Sequence, residues 1–140
     1  MSILKKITVL FFCCCVFFMP VVSQAAPKYF NGDKNLVFVF ERGGAVEYLD
    51  LTSITSYYYD PPYYRLGGNI LLYSEKKAKI VGRANVYYDY YLDTHQIYRI
   101  DIAANGKKYG PINQNTSTSG RHNFKLATMI WKKAYNMDWK

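Results

Sequence analysis

Seven residues in this chain are of types suited to binding rather than to bond-making: Tyr63, Arg65, Tyr73, Arg83, Tyr87, Tyr91 and Arg99. A tyrosine offers a flat apolar ring with a polar tip, and an arginine stacks on rings and clamps anions with a planar fork. Their spacing is that of strands, in which alternate residues share a face. Over 80–92, Ile80, Gly82, Ala84, Val86, Tyr88, Tyr90 and Leu92 make an apolar side. Val81, Arg83, Asn85, Tyr87, Asp89 and Tyr91 make a mixed one. The same alternation over 63–73 sets Tyr63, Arg65, Asn69, Leu71 and Tyr73 against Tyr64, Leu66, Ile70 and Leu72. Over 96–102 it sets Ile97, Arg99 and Asp101 against Tyr98, Ile100 and Ile102. Joined, the three mixed sides form one face suited to sugars, peptides or anionic polymers. The competing interpretation is a solvent-facing sheet surface held by cross-strand tyrosine pairs, with Asp89 and Asp101 partnering the arginines.

Other chemistry-bearing residues form no recognisable centre. Asp89, Asp93 and His95 surround one turn, but their spacing is no known metal signature. His122 opens a helical segment without a carboxylate at a useful spacing, and two histidines in the chain are weak grounds for acid–base catalysis. Pro61-Pro62-Tyr63-Tyr64 fits a pattern recognised by WW domains and is better taken as a turn before a strand. No GxSxG, HExxH, P-loop or GxGxxG occurs. The expectation is therefore no catalytic, cofactor or metal residues. Asn115-Thr116-Ser117 fits the N-glycosylation pattern in a polar loop.

The N-terminus predicts export. Lys5 and Lys6 precede the apolar run 7–22, and Ser23 and Ala25 supply the small residues that signal peptidase recognises, placing cleavage after Ala25. Pro20 interrupts the run, which is short for a membrane span of roughly 20 residues. Cys13, Cys14 and Cys15 all fall in this segment, so the remainder has no disulfide and no thiolate. The full chain carries +8, and without Lys5 and Lys6 it keeps 16 basic against 10 acidic residues, or +6. Export turns that balance away from nucleic acid and toward an anionic envelope polymer, a glycan or a host protein. The expected setting is periplasmic, cell-surface or secreted, with no transmembrane span after cleavage.

The elements that must position the seven residues follow from punctuation and period. Asn35–Glu41 is a continuous apolar, β-branched and aromatic run, so a strand. Arg42-Gly43-Gly44 is a turn, and 45–51 returns as a second strand, with 52–59 extended or irregular. Asp60-Pro61-Pro62 breaks the chain before the strand 63–73, where Gly67-Gly68 signals a bulge or bend. Strands over 80–92 and 96–102 follow, and after the Asn105-Gly106 turn a short strand over 109–112 is possible. Phe124, Ala127, Ile130, Trp131 and Ala134 recur at helical spacing and predict an amphipathic helix over 122–137, capped by Ser119 or Thr118. The expected fold is α+β: an antiparallel β-meander of about five strands with a C-terminal amphipathic helix packed on one face. Residues 1–25 are a signal peptide, 26–35 a flexible lead-in, and 36–140 a single domain.

Three segments, Tyr48–Ile54, Pro61–Tyr64 and Ala127–Trp139, resemble a group of small exported bacterial proteins of uncharacterised function. More distantly, the strand start at Tyr48 and the C-terminal helix are similar to the surface-adhesin protein E family. That resemblance implies a sheet-and-helix domain binding host matrix and serum proteins. The disulfide that ties down the helix in that family has no counterpart here, and no binding residue transfers. The chain is therefore expected to be an exported non-enzymatic binding or envelope-associated protein, adhesin-like in setting. The alternatives are an enzyme on cell-envelope polymers, and a subunit or inhibitor that docks a partner protein.

Overall fold

The structure, a computed structural model, describes residues 25–115 and 117–140. The expected signal peptide lies outside the described residues except for Ala25, and Thr116 of the glycosylation pattern is outside them too. Six strands, β1 (Leu36–Arg42), β2 (Ala45–Asp60), β3 (Tyr63–Ser74), β4 (Lys79–Tyr91), β5 (Gln96–Asp101) and β6 (Lys107–Tyr109), precede one helix, α1 (Thr118–Tyr135). The strands form one antiparallel sheet in sequence order, the expected meander with a sixth strand added. Short turns enforce that order. Gly43 and Gly44, both at positive φ (59° and 76°), sit between the paired residues Arg42 and Ala45, as a two-residue hairpin of right-handed strands requires.

α1 lies across one face of the sheet. Ser117 caps it, its Oγ accepting from the Gly120 N–H at 3.3 Å, in place of the expected Ser119 or Thr118. Asn136 closes it in the left-handed region at φ 54°. Leu126, Ala127, Ile130 and Trp131 pack onto Val39, Leu49, Leu66, Val86, Tyr88, Tyr90 and Ile97. Leu126 joins the stripe, and Ala134 is exposed. Two buried tyrosines lock the contact through their polar tips. Tyr90 donates to Ala127 O at 2.8 Å and Tyr88 to Asn123 Oδ1 at 3.0 Å. No helix among the described residues is long and apolar enough to cross a membrane.

The opposite face carries a smaller core of Val46, Tyr48 and Leu71. The lead-in covers it. Tyr29 bridges to Val37, the Phe38 N–H donates to Lys28 O at 2.9 Å, and the Phe30 ring rests against Tyr48 and Tyr73, each centroid 5.3 Å away.

Two details of the strands sharpen or correct the expectation. β2 runs on through Asp60, so 52–59, expected to be extended or irregular, is extended and belongs to the same strand as 45–51. The bulge expected in β3 at Gly67-Gly68 lies across the ladder instead. Between Asp50↔Asn69 and Thr55↔Gly67, β2 spends the extra residues, whereas β3 stays in register with β4 through both glycines. Gly67 answers to close approach rather than to a bend: a Cβ there would lie 2.8 Å from Val86 O and 2.9 Å from the rings of Tyr57 and Tyr87.

Candidate binding face

The face away from α1 gathers tyrosines at the end formed by the β2–β3 and β4–β5 turns. Four rings cross four strands in sequence: Tyr58 on Tyr63 (4.9 Å between centroids), Tyr63 on Tyr91 (5.0 Å) and Tyr91 on Tyr98 (5.6 Å). Tyr57 meets Tyr87 edge-on at 5.3 Å, over the space that Gly67 leaves open. Both Tyr57 and Tyr58 reach this face because β2 slips again between Ser56↔Leu66 and Tyr58↔Arg65. Tyr57, Tyr58, Tyr63, Arg65, Tyr87 and Ile102 line a groove of about 510 Å³.

Beneath the rings lies an ion network. Asp89 is fully buried. Arg65, directly across the ladder, donates to it twice, and Lys108 Nζ approaches the second carboxylate oxygen at 2.8 Å. Lys108 also donates to the Tyr91 hydroxyl and stands over the rings of Tyr63 and Tyr91. Burial alone would push the Asp89 carboxyl up. Hydrogen bonds from Arg65, Lys108 and Tyr63 outweigh that and hold it below the ordinary carboxylate range. The bond to Asp89 pushes the Arg65 guanidinium up. Lys108 is also pushed up, its own desolvation being outweighed by Asp89 and Tyr91. Desolvation, and then the bond to Asp89, raise Tyr63.

Of the seven expected residues, Tyr63, Arg65, Tyr87 and Tyr91 come together here. Tyr73 and Arg83 share the face but not the groove. Tyr73 packs on Phe30 in the smaller core, and Arg83 stands exposed opposite Leu71. Arg99 does not belong to the face. The β4–β5 register pairs Asp89 with Tyr98 and Tyr88 with Arg99, which turns Ile97, Arg99 and Asp101 to the helix side. There Arg99 donates to Asn123 Oδ1 at 3.5 Å. The phase assigned to β5 is thus reversed: Ile100 packs under the tyrosine side opposite Tyr87, while Arg99 points where α1 leaves room beside its N-terminus. Asp101 accepts from the Ala104 N–H rather than pairing with an arginine.

Sequence reasoning missed Tyr57, Tyr58, Tyr98 and Lys108. The run Ser56–Asp60 hid the first two because its bulges break the alternation that assigns faces. Lys108 falls in a strand of three residues, too short for a period to register. His122 does have a carboxylate partner, supplied from β2: its Nε2 lies 2.7 Å from Glu47 Oε2, and its ring stacks on Phe40. Asp93 and His95 are exposed in their turn, apart from the engaged Asp89, and no group of three or more His, Cys, Asp or Glu among the described residues is placed to hold a metal ion.

The groove is thus an aromatic, hydroxyl-edged surface whose cations are already committed to Asp89. It offers flat rings and hydrogen-bonding tips above a network whose one carboxylate and two cations leave a single net positive charge. Compared with known proteins, the chain matches no family model, no curated protein and no solved structure.

Proposed function

We propose that the chain is an exported, non-enzymatic binding protein whose tyrosine groove holds a glycan of the cell envelope or of a host surface. The observation that carries this reading is the groove itself, with Tyr57 and Tyr58 54% and 46% exposed beside the half-buried Tyr63 and Tyr87. Rings of this kind present apolar planes to the C–H faces of a sugar, and their hydroxyls meet its polar rim. A glycan fits better than an anionic polymer. Arg65 and Lys108 share the one Asp89 carboxylate, which leaves the network a single net positive charge, Arg99 lies on the other face, and Arg83 stands apart from the groove. The N-terminal pattern supports export, and the resemblance to the protein E family supports an adhesin-like setting.

The test is retention of the purified protein on envelope polysaccharide and on immobilised neutral oligosaccharides, at low and high salt. Retention is expected to survive salt and to weaken by about tenfold, ~1.4 kcal/mol, in Tyr57→Ser and Tyr87→Ser. Retention lost with salt would assign binding to the net positive charge alone. Salt-resistant retention that ignores both substitutions would move the ligand off the groove.

A further inference from the structure

The edges of a β-sheet leave rows of unpaired N–H and C=O groups, and proteins close them with charge, chain or brevity. Along β1 the lead-in pairs through Tyr29 and Lys28, and Lys125 reaches from α1 to donate to Val39 O at 2.7 Å. β6 is three residues long, two of them lysines. The first half of β4, Lys79–Asn85, has β3 on one side and, among the described residues, no strand on the other, and it carries Lys79 and Arg83. A stretch of β2 is open without such basic residues. The β1–β2 ladder ends at Leu36↔Asp50, so Thr55–Asp60 of β2 has β3 on one side and, among the described residues, no strand on the other. All six residues of that stretch are exposed, and its three successive tyrosines are 54%, 46% and 65% exposed. The run 51–59 contains no charged residue.

We propose that Thr55–Asp60 pairs antiparallel with the same stretch of a second copy, joining two sheets across a two-fold axis. The order of side chains favours a copy over an unrelated strand. Thr55, Tyr57, Tyr58 and Asp60 share the groove face, and Ser56 and Tyr59 share the helix face. That order is the same in either direction. An axis between Tyr57 and Tyr58 therefore opposes Tyr57 to Tyr58 of the copy, Ser56 to Tyr59 and Thr55 to Asp60, with faces matched at every pair. Asp60 meets a threonine rather than another carboxylate. A basic chain meets its copy here along a strip whose only charged residue is the acidic Asp60 at its end. The pairing consumes the one open stretch that carries no lysine or arginine, whereas Lys79 and Arg83 guard the open half of β4, so assembly is expected to stop at two copies instead of extending as a fibre. The axis also brings the two grooves side by side, although the pairing does not depend on what they bind.

Sedimentation velocity over a concentration series, at a salt level that screens the net charge, tests this. A monomer–dimer equilibrium is expected. Ser56→Lys and Tyr59→Asp, both at exposed positions, are each expected to weaken it by about tenfold or more, with unchanged circular dichroism. Mixing the two variants is expected to restore dimer, because the axis opposes the new lysine to the new aspartate. A protein that stays monomeric throughout would overturn the proposal. So would a dimer indifferent to both variants, or one that mixing fails to restore. A monomer that instead takes up an unrelated extended peptide at this edge would assign the stretch to another partner.

Discussion

Arg65 closes on Asp89 straight across the β3–β4 ladder, Nε to Oδ1 at 2.6 Å and Nη2 to Oδ2 at 2.9 Å. Two parallel bonds fix both the ion pair and the plane of the guanidinium. The tyrosine rings of this face lie above the pair, which holds the Asp89 carboxyl below the ordinary carboxylate range.

Asp89→Asn is expected to lower stability by about 2 kcal/mol. Breaking a fully buried pair costs roughly 3–5 kcal/mol, but Arg65 and Lys108 keep some contact with water and recover part of that. Urea unfolding of the two proteins measures the difference, and an equally stable variant would contradict the role given to the network.

The same carboxyl sets an acid limb. Asp89 in the fold titrates below its ordinary range, so the unfolded chain binds the proton more readily. Its contribution is complete above the ordinary carboxylate range and drains away as pH falls through the depressed value. Thermal unfolding followed from neutral pH downward is expected to fall less steeply for Asp89→Asn than for the parent.

Gly67→Ala places a methyl against Val86 O and two rings at contacts too short to keep. Overpacking of this kind costs about 1–3 kcal/mol. Because Tyr57 and Tyr87 are the movable neighbours, the substitution is expected to weaken glycan retention as well as melting temperature. Gly68→Ala, whose added carbon meets ordinary 3.4 Å contacts, is expected to do much less.

Trp131→Ala empties the middle of the helix–sheet interface, where the indole packs on Tyr64, Tyr90, Tyr135 and Trp139. A loss of about 3–5 kcal/mol is expected from denaturant unfolding. Tyr90→Phe removes only the bond to Ala127 O, for about 1 kcal/mol. Burial raises the Tyr90 phenol, so its neutral form belongs to the fold. Its contribution is full below the ordinary tyrosine range and lost as pH rises through the raised value, and Tyr90→Phe is expected to soften alkaline unfolding.

The meander and the helix were legible because both rest on regular periods: Val86, Tyr88 and Tyr90 keep the two-residue period, and Ala127, Ile130 and Trp131 the helical one. β5 was harder. In Gln96-Ile-Tyr-Arg-Ile-Asp-Ile102 both sides hold apolar residues, and counting charges alone sends Arg99 away from the helix. What decides the phase is tertiary. The first turns of α1 leave Arg99 an opening beside Ser119, Gly120 and Asn123, while the tyrosine side offers Ile100 cover. Half of the groove was hidden for a different reason. Tyr57 and Tyr58 share a face only because β2 carries a surplus residue, and a bulge erases the parity on which any face assignment depends.

The strand order β1 to β6 has a kinetic side. Every ladder joins neighbours in sequence, so the sheet can zip hairpin by hairpin at small loop-closure cost. α1 is different: Lys125 meets Val39 across 86 residues and His122 meets Glu47 across 75. The long-range step is therefore a single docking event, and substitutions at Leu126 or Ile130 should act on the barrier that it sets more than on formation of the hairpins.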